Sequence, residues 1–490
     1  MTSPHARRDF GSFHSSNVEE LLAVPVSEWR RLLPFPDPAE AFFISGAAHQ
    51  CDASTLKATH FFLEEEFTFI NHGAFGAVLR PVMAQATAWR EHMEGQPVRF
   101  VDRRFFLHYV DVVRQMATFV DCDPRGLVLV PNATTAINTV VRGLVDRGLR
   151  RVIHLNVTYG ATMKLLRSLE SVEMHQIDVT MPIVSREELM AGLERQVKDL
   201  YDSVTEGGTT LFLIDAIPSN LPVVLPLKDL ISMAKTVCGE GLLTLVDGAH
   251  LLLQTDLRIN TIGADFVACN CHKWLCGAKG SAFLYVAEPH RQHMRPLVAS
   301  HGYLSGFSSA FAWTGLQDVG AYLSLDAALA FWRRMGPPAV RVRLHGLLDE
   351  ATSLLTSSWR TSLPVPIDLL ATMALVELPR IDTATLRRHV SSYGVNRDAF
   401  DSCADDVRVG ELPEGDGMGR VYEYADAESV QNYLYWAEGI EVPAKSLQGC
   451  LYVRISVHVY NCLDDYRRLA DAVAKLYWRC EALRRKDGDP

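Results

Sequence analysis

No stretch of this 490-residue sequence approaches the run of about 18 apolar residues that a membrane-spanning helix requires. The start, "MTSPHARRDFGSFHSSNVEELLAV", has Arg7 and Arg8 but no apolar core of the secretory-signal kind, and acidic residues soon follow. Cysteine is scarce. There are ten, and their spacing shows no disulfide framework. An excess of basic charge is missing too. The net charge of −10 argues against a nucleic-acid binder and against attraction to an anionic membrane. No internal repeat is present. These absences lead us to expect a soluble, reduced, cytoplasmic protein with no nucleic-acid or membrane partner.

What is present is core material. Hydrophobic residues make up 48% and charged residues 22%, enough for a large buried interior. Residues 1–65 read as an N-terminal extension with some helix, as in "SNVEELLAV" and "VSEWRRLL". From "FTFINHGAFG" onward strands and helices alternate: "GLVLV", then "TTAINTVVRGLV"; "RRVIHLNV", then "ATMKLLRSLES"; "TTLFLIDA", then "LKDLISMAKTV". "GLLTLVDGAH", "ADFVAC" and "SAFLYV" read as further strands. The alternation predicts an α/β fold: a mostly parallel sheet with helices on both faces, over residues 66–325. Residues 326–490 read as a smaller α+β C-terminal domain. It holds "MALVELP" and "LYVRISVHVY" as strands, with a polar, acidic loop at about 400–425.

In such a sheet ligands gather at the carboxyl ends of the strands. After "LVLV" come Asn132, Ala133 and Thr134, opening a helix whose free N–H groups suit a phosphate. After "VIHLNV" come Thr158 and Tyr159. After "LFLI" come Asp215 and Ser219. After "LLTLV" come Asp247 and His250. After "DFVAC" come Asn270, His272 and Lys273. A phosphate cradle, an aromatic face, a buried carboxylate and a buried amine are what pyridoxal phosphate needs. Each piece alone has a plainer reading. "NAT" can be an ordinary N-cap, Tyr159 packing, Asp247 a turn residue, and His272 a core histidine. Their order at successive strand ends is what joins them. Cys269, Cys271 and Cys276 lack partners at zinc-site spacing, so packing is expected of them and no metal.

These segments resemble the class V aminotransferase family of fold-type I pyridoxal-phosphate enzymes. The branch they resemble most holds isopenicillin-N-epimerase-like proteins, cysteine desulfhydrases and hercynylcysteine sulfoxide lyases. The resemblance rests on "INHGAFGAV" (70–78), "PNATTAINTVVR" (131–142), "TYGA" (158–161), "VDGAH" (246–250), "GADFVACNCHKWL" (263–275), "SHGY" (300–303), "AWTGLQD" (312–318) and "YVRISVHVYN" (452–461). It implies that Lys273 bonds the cofactor aldehyde and shuttles the Cα proton. Asp247 would pair with the pyridinium nitrogen, with Asp215 and Ser219 also at the cofactor. His250 would lie near the ring hydroxyl, and Tyr159 would stack on the ring. Ala133, Thr134 and His272 would hold the phosphate. Thr314 would reach the phosphate of a partner subunit, which implies a homodimer. Arg454 would grip the substrate carboxylate, and Asn71 and His72 would line the substrate side. The chain departs from the family at Ala216, where a histidine is common, and at Leu316, where "TGT" becomes "TGL".

The reaction expected on these grounds is carbon–sulfur lysis by β-elimination on cysteine, a cysteine conjugate or a sulfoxide, with Tyr159 as the acid toward the leaving sulfur. The same residues would serve an epimerase or an aminotransferase. A desulfurase needs a nucleophilic cysteine. Cys403, in the acidic loop, could serve as one, but Asp401, Asp405 and Asp406 beside it would raise its pKa. A non-catalytic scaffold with this fold is disfavoured by intact Lys273, Asp247 and Arg454.

Overall fold

The computed structural model describes residues 18–29, 52–203, 208–239, 241–390 and 422–486. Twelve strands carry the architecture of these residues. They are β1 (Thr68–Phe69), β2 (Leu127–Val130), β3 (Leu149–Leu155), β4 (Glu173–Ile177), β5 (Thr209–Asp215), β6 (Leu242–Asp247), β7 (Phe266–Asn270), β8 (Ala282–Val286), β9 (Met373–Glu377), β10 (Ile440–Glu441), β11 (Ala444–Leu447) and β12 (Cys450–Ser456). Seven of them form one sheet in the order β2-β8-β7-β6-β5-β3-β4. All neighbours in it pair parallel except β8, which is antiparallel to both β7 and β2.

The sequence accounts for this sheet. β7 and β8 are buried along their whole lengths and β5 and β6 along most of theirs, as strands covered by helices on both faces must be. The edge strand β4, "EMHQI", is mostly exposed and polar, so its sequence carries no apolar signal of a strand. The helix Ala133–Val145 starts where Asn132 accepts a hydrogen bond from the Thr135 N–H at 2.7 Å.

The smaller sheet is antiparallel, in the order β11-β12-β9. It packs with the helices Pro337–Trp359, Tyr424–Glu438 and Leu463–Lys486. β1 pairs with β10, so the segment entering the site is tied to the C-terminal region. The N-terminal helix Val18–Ala23 sits against the helix Phe105–Phe119, where Arg114 donates to the carbonyls of Leu21, Leu22 and Val24.

The acidic loop expected at about 400–425 ends earlier than its composition suggests. Helix begins at Tyr424, fixed by a reciprocal capping box between Glu423 and Asp426. Acidic side chains that resemble loop polarity in the sequence are here placed against a positive helix start. The remainder of that segment, with Cys403, lies outside the described residues.

Candidate active site

The carboxyl ends of β2, β3, β5, β6 and β7 meet at one edge of the large sheet, and the expected side chains lie there. Lys273 follows β7 in a tight turn. Its Nζ is 3.3 Å from His250 Nε2. The other ring nitrogen, His250 Nδ1, accepts from the Trp274 indole N–H at 3.0 Å. An indole nitrogen can only donate, so the neutral ring carries its proton on Nε2. That N–H faces Lys273, and only an unprotonated amine has a lone pair to accept it. Burial points the same way. It brings the Lys273 pKa from 10.5 down to about 8 and holds His250 well below its ordinary value.

Two carboxyl groups lie beside this pair. Asp215 and Asp247 are direct register neighbours on β5 and β6, and both are buried. Asp247 Oδ1 accepts from the Ala249 N–H at 3.0 Å, and Asp215 Oδ1 from the Tyr159 N–H at 3.0 Å. Burial raises both pKa values, and the Asp247 charge helps bring Asp215 to about 8. Of the two, Asp247 also feels Lys273, which favours its charged form. Tyr159, 46% exposed, precedes the helix Gly160–Arg167 and joins this group through its backbone N–H.

Arg454, on β12, is fully enclosed. It donates to Ser219 O at 2.8 Å, Ser219 Oγ at 2.7 Å and Asn71 Oδ1 at 3.0 Å, while its Nε is buried without a partner. All three acceptors are neutral, so among the described residues the buried guanidinium has no counter-ion. Burial lowers its pKa to about 10. Ser219, expected among the cofactor contacts, is placed here as a support for Arg454. Asn71 is held in turn by Glu441, to which its Nδ2 donates at 2.9 Å.

His72 supports Lys273 through the backbone: Nε2 lies 3.0 Å from the Lys273 carbonyl and Nδ1 2.8 Å from the Tyr460 hydroxyl. His72, Cys276 and His458 form a group of potential metal ligands. However, the two imidazoles stack with ring centres 3.9 Å apart and planes 12° apart. Their in-plane lone pairs run side by side and do not converge on one ion, as a tetrahedral site requires. Cys269, Cys271 and Cys276 are buried, with thiol pKa values pushed up, as packing residues would be.

At the phosphate end the helix start is partly occupied. The Ala133 N–H donates to Asn270 Oδ1 at 2.9 Å. Thr134 has no hydrogen-bond partner for its N–H or hydroxyl among the described residues and is exposed. His272 Nδ1 lies 2.9 Å from Ser281 O, and burial lowers its pKa to about 4. Thr314 lies in the loop after the helix Phe307–Ala312, with no hydrogen bond to the Lys273 group.

The donor set fits pyridoxal phosphate. It offers a buried amine of lowered pKa, a buried carboxylate beside it, Thr134 donors at a helix start without a partner among the described residues, and a buried arginine whose acceptors are all neutral. Sequence reasoning placed Asn270 at a strand end but not its bond to the Ala133 N–H, and it missed Trp274 as a support and the bond between Ser219 and Arg454. Trp274 stands in the quoted "HKW", but the direction of its indole is not written in the motif.

The family model for class-V aminotransferases matches residues 74–469. The chain therefore belongs to that family of pyridoxal-phosphate enzymes. An L-cysteine desulfhydrase of Arabidopsis thaliana is 26% identical over 83% of this chain and 87% of its own. The isopenicillin N epimerase of Amycolatopsis lactamdurans is 26% identical over 84% and 96%. The cysteine desulfurase of Thermococcus onnurineus NA1, solved without ligand, superposes with a TM-score of 0.65 at 16% identity, covering 86% of this chain and 97% of that one. That likeness establishes the fold. No helix among the described residues is long and apolar enough to cross a membrane.

Proposed function

We propose that the protein is a carbon–sulfur lyase that releases pyruvate from cysteine or a cysteine conjugate by β-elimination. The observation that carries this reading is the buried Lys273 amine, its Nζ 3.3 Å from His250 Nε2, in the same site as Asp247 and Arg454, with a pKa that burial lowers to about 8. The curated relatives that share most of this chain's length include cysteine desulfhydrases.

Each residue has a task in this reading. Arg454, aimed by Ser219 and Asn71, takes the substrate carboxylate in a two-pronged hydrogen bond and fixes the amino acid's orientation. Lys273 removes the proton from Cα. His250, fixed by Trp274, holds the amine neutral and pointed. Pyridoxal phosphate would be held by Asp247 and Thr134, and by Lys273 until the substrate amine takes that place and frees it, and would supply the electron sink for the pair left at Cα. The Cβ–S bond then breaks, and Tyr159 protonates the departing sulfur. Water hydrolyses the released enamine to pyruvate and ammonia.

Pyruvate is measured from L-cysteine, cysteine S-conjugates and cysteine sulfoxides, with alanine as control and no oxo-acid acceptor present. Pyruvate from the sulfur compounds alone supports the proposal. None from any of them, with cofactor bound, overturns it. Epimerisation is the second reading, favoured by the epimerase relative and using the same Lys273 and Arg454. The same proposal includes a cytoplasmic homodimer. Exposed apolar Phe75, Leu304 and Leu316 lie in segments neighbouring site residues, as a subunit contact near the site would require.

A further inference from the structure

A second cation without a partner among the described residues stands on the face of the small sheet that carries Arg454. Lys445 on β11 is paired directly with Tyr452 on β12. Arg454 is two residues beyond Tyr452, so alternation turns Tyr452 and Arg454 to one face, and the register puts Lys445 on that face as well. Lys445 and Arg454 are therefore diagonal neighbours across the strand pair, a spacing of about 7–8 Å between side-chain origins.

Lys445 is only partly exposed and has no hydrogen bond or ion pair among the described residues. Glu377 faces the same way but sits on β9, on the far side of Tyr452. Burial, with Arg454 adding to it, lowers the Lys445 pKa to about 8. Two partly or fully desolvated cations as diagonal neighbours, with only neutral acceptors around one and no acceptor among the described residues around the other, cost free energy unless an anion answers them. An amino acid's own carboxylate relieves Arg454. It leaves Lys445 unanswered.

We propose that Lys445 is a second anion subsite that selects amino acids bearing a further carboxylate beyond the sulfur, such as S-carboxyalkyl cysteines. The proposal rests on the assignment of Arg454 to the substrate carboxylate. It deepens the lyase reading by naming the class of conjugate. Charge placed over Lys445 discriminates because the neutral analogue leaves the buried cation unpaired.

The test uses holoenzyme and two ligands of nearly equal size, S-carboxymethyl-L-cysteine and S-carbamoylmethyl-L-cysteine. Apparent affinity is read by spectral titration of the bound cofactor, so occupancy is measured whether or not the ligand is turned over. Pyruvate from L-cysteine, measured separately, reports on the lyase reading alone. The wild type is expected to favour the carboxylate ligand about tenfold or more. Lys445→Met should bring the ratio to near one, Lys445→Arg should keep it, and Lys445→Glu should invert it. A wild-type ratio of one, or a ratio unchanged in Lys445→Met, overturns the proposal.

Discussion

At the scale of single residues, the site is organised by which nitrogen holds a proton. Trp274 can only donate, so His250 presents Nε2–H to Lys273, a contact that favours the neutral form of the lysine amine. An amine of ordinary pKa is almost wholly protonated at neutral pH and is not nucleophilic. With a pKa of about 8, Lys273 has an appreciable neutral fraction near neutrality. The sign follows directly: raising the pH removes the proton, so the rate at which cofactor-free protein recaptures pyridoxal phosphate should rise with pH. It should be half-maximal near pH 8 and then level off. A rate still climbing above pH 10 would show a lysine of ordinary basicity. The lysine, the aspartate and the histidine are all legible in the sequence, because each follows an apolar strand. Ser219 and Asn270 are legible as strand-end residues, but their partners, like the role of Trp274, are not, because those contacts are made across the fold. Ser219 and Arg454, for instance, are 235 residues apart in the chain.

At the scale of elements, a close backbone approach fixes where Lys273 sits. Gly76 has φ +69° and ψ 170°, a region essentially reserved for glycine. A Cβ there would lie 2.3 Å from the His272 carbonyl oxygen and 2.7 Å from Lys273 Cα. The "HGAFG" segment therefore packs directly against the lysine turn, and Lys279 donates to the Gly76 carbonyl at 3.1 Å. Gly76→Ala should lower stability by about 1–3 kcal/mol through backbone strain alone. It should also reduce activity, because relief of the clash moves Lys273. Denaturant unfolding of the holoenzyme beside a rate measurement checks both, and an alanine variant of wild-type stability would refute the contact. The alternating strands and helices of the large sheet are legible from apolar runs. β4 and β11 are not. The first is a polar edge strand, and the second, "AKSL", is too short to show a period. For that reason the face on which Lys445 lies emerges only from the register of β11 on β12.

At the scale of the whole molecule, the site is assembled by both sheets. The large sheet supplies Lys273, Asp247 and His250, and the small sheet supplies Arg454. β1 and β10 tie the Asn71–His72 segment to the C-terminal region. The proposed homodimer would cover Phe75, Leu304 and Leu316, which are exposed apolar residues of the single chain. Light scattering on the purified protein should give a particle of twice the 54.6 kDa chain, and a monomer would remove Thr314 from any role at a partner's phosphate. The central claim is β-elimination driven by Lys273, and one experiment separates it from epimerisation. Holoenzyme is incubated with L-cysteine in deuterium oxide and the products are followed by NMR. The account predicts one pyruvate, one ammonia and one sulfide per cysteine consumed, with deuterium in the pyruvate methyl group and no product from Lys273→Ala. Recovery of cysteine deuterated at Cα, without pyruvate, would contradict it.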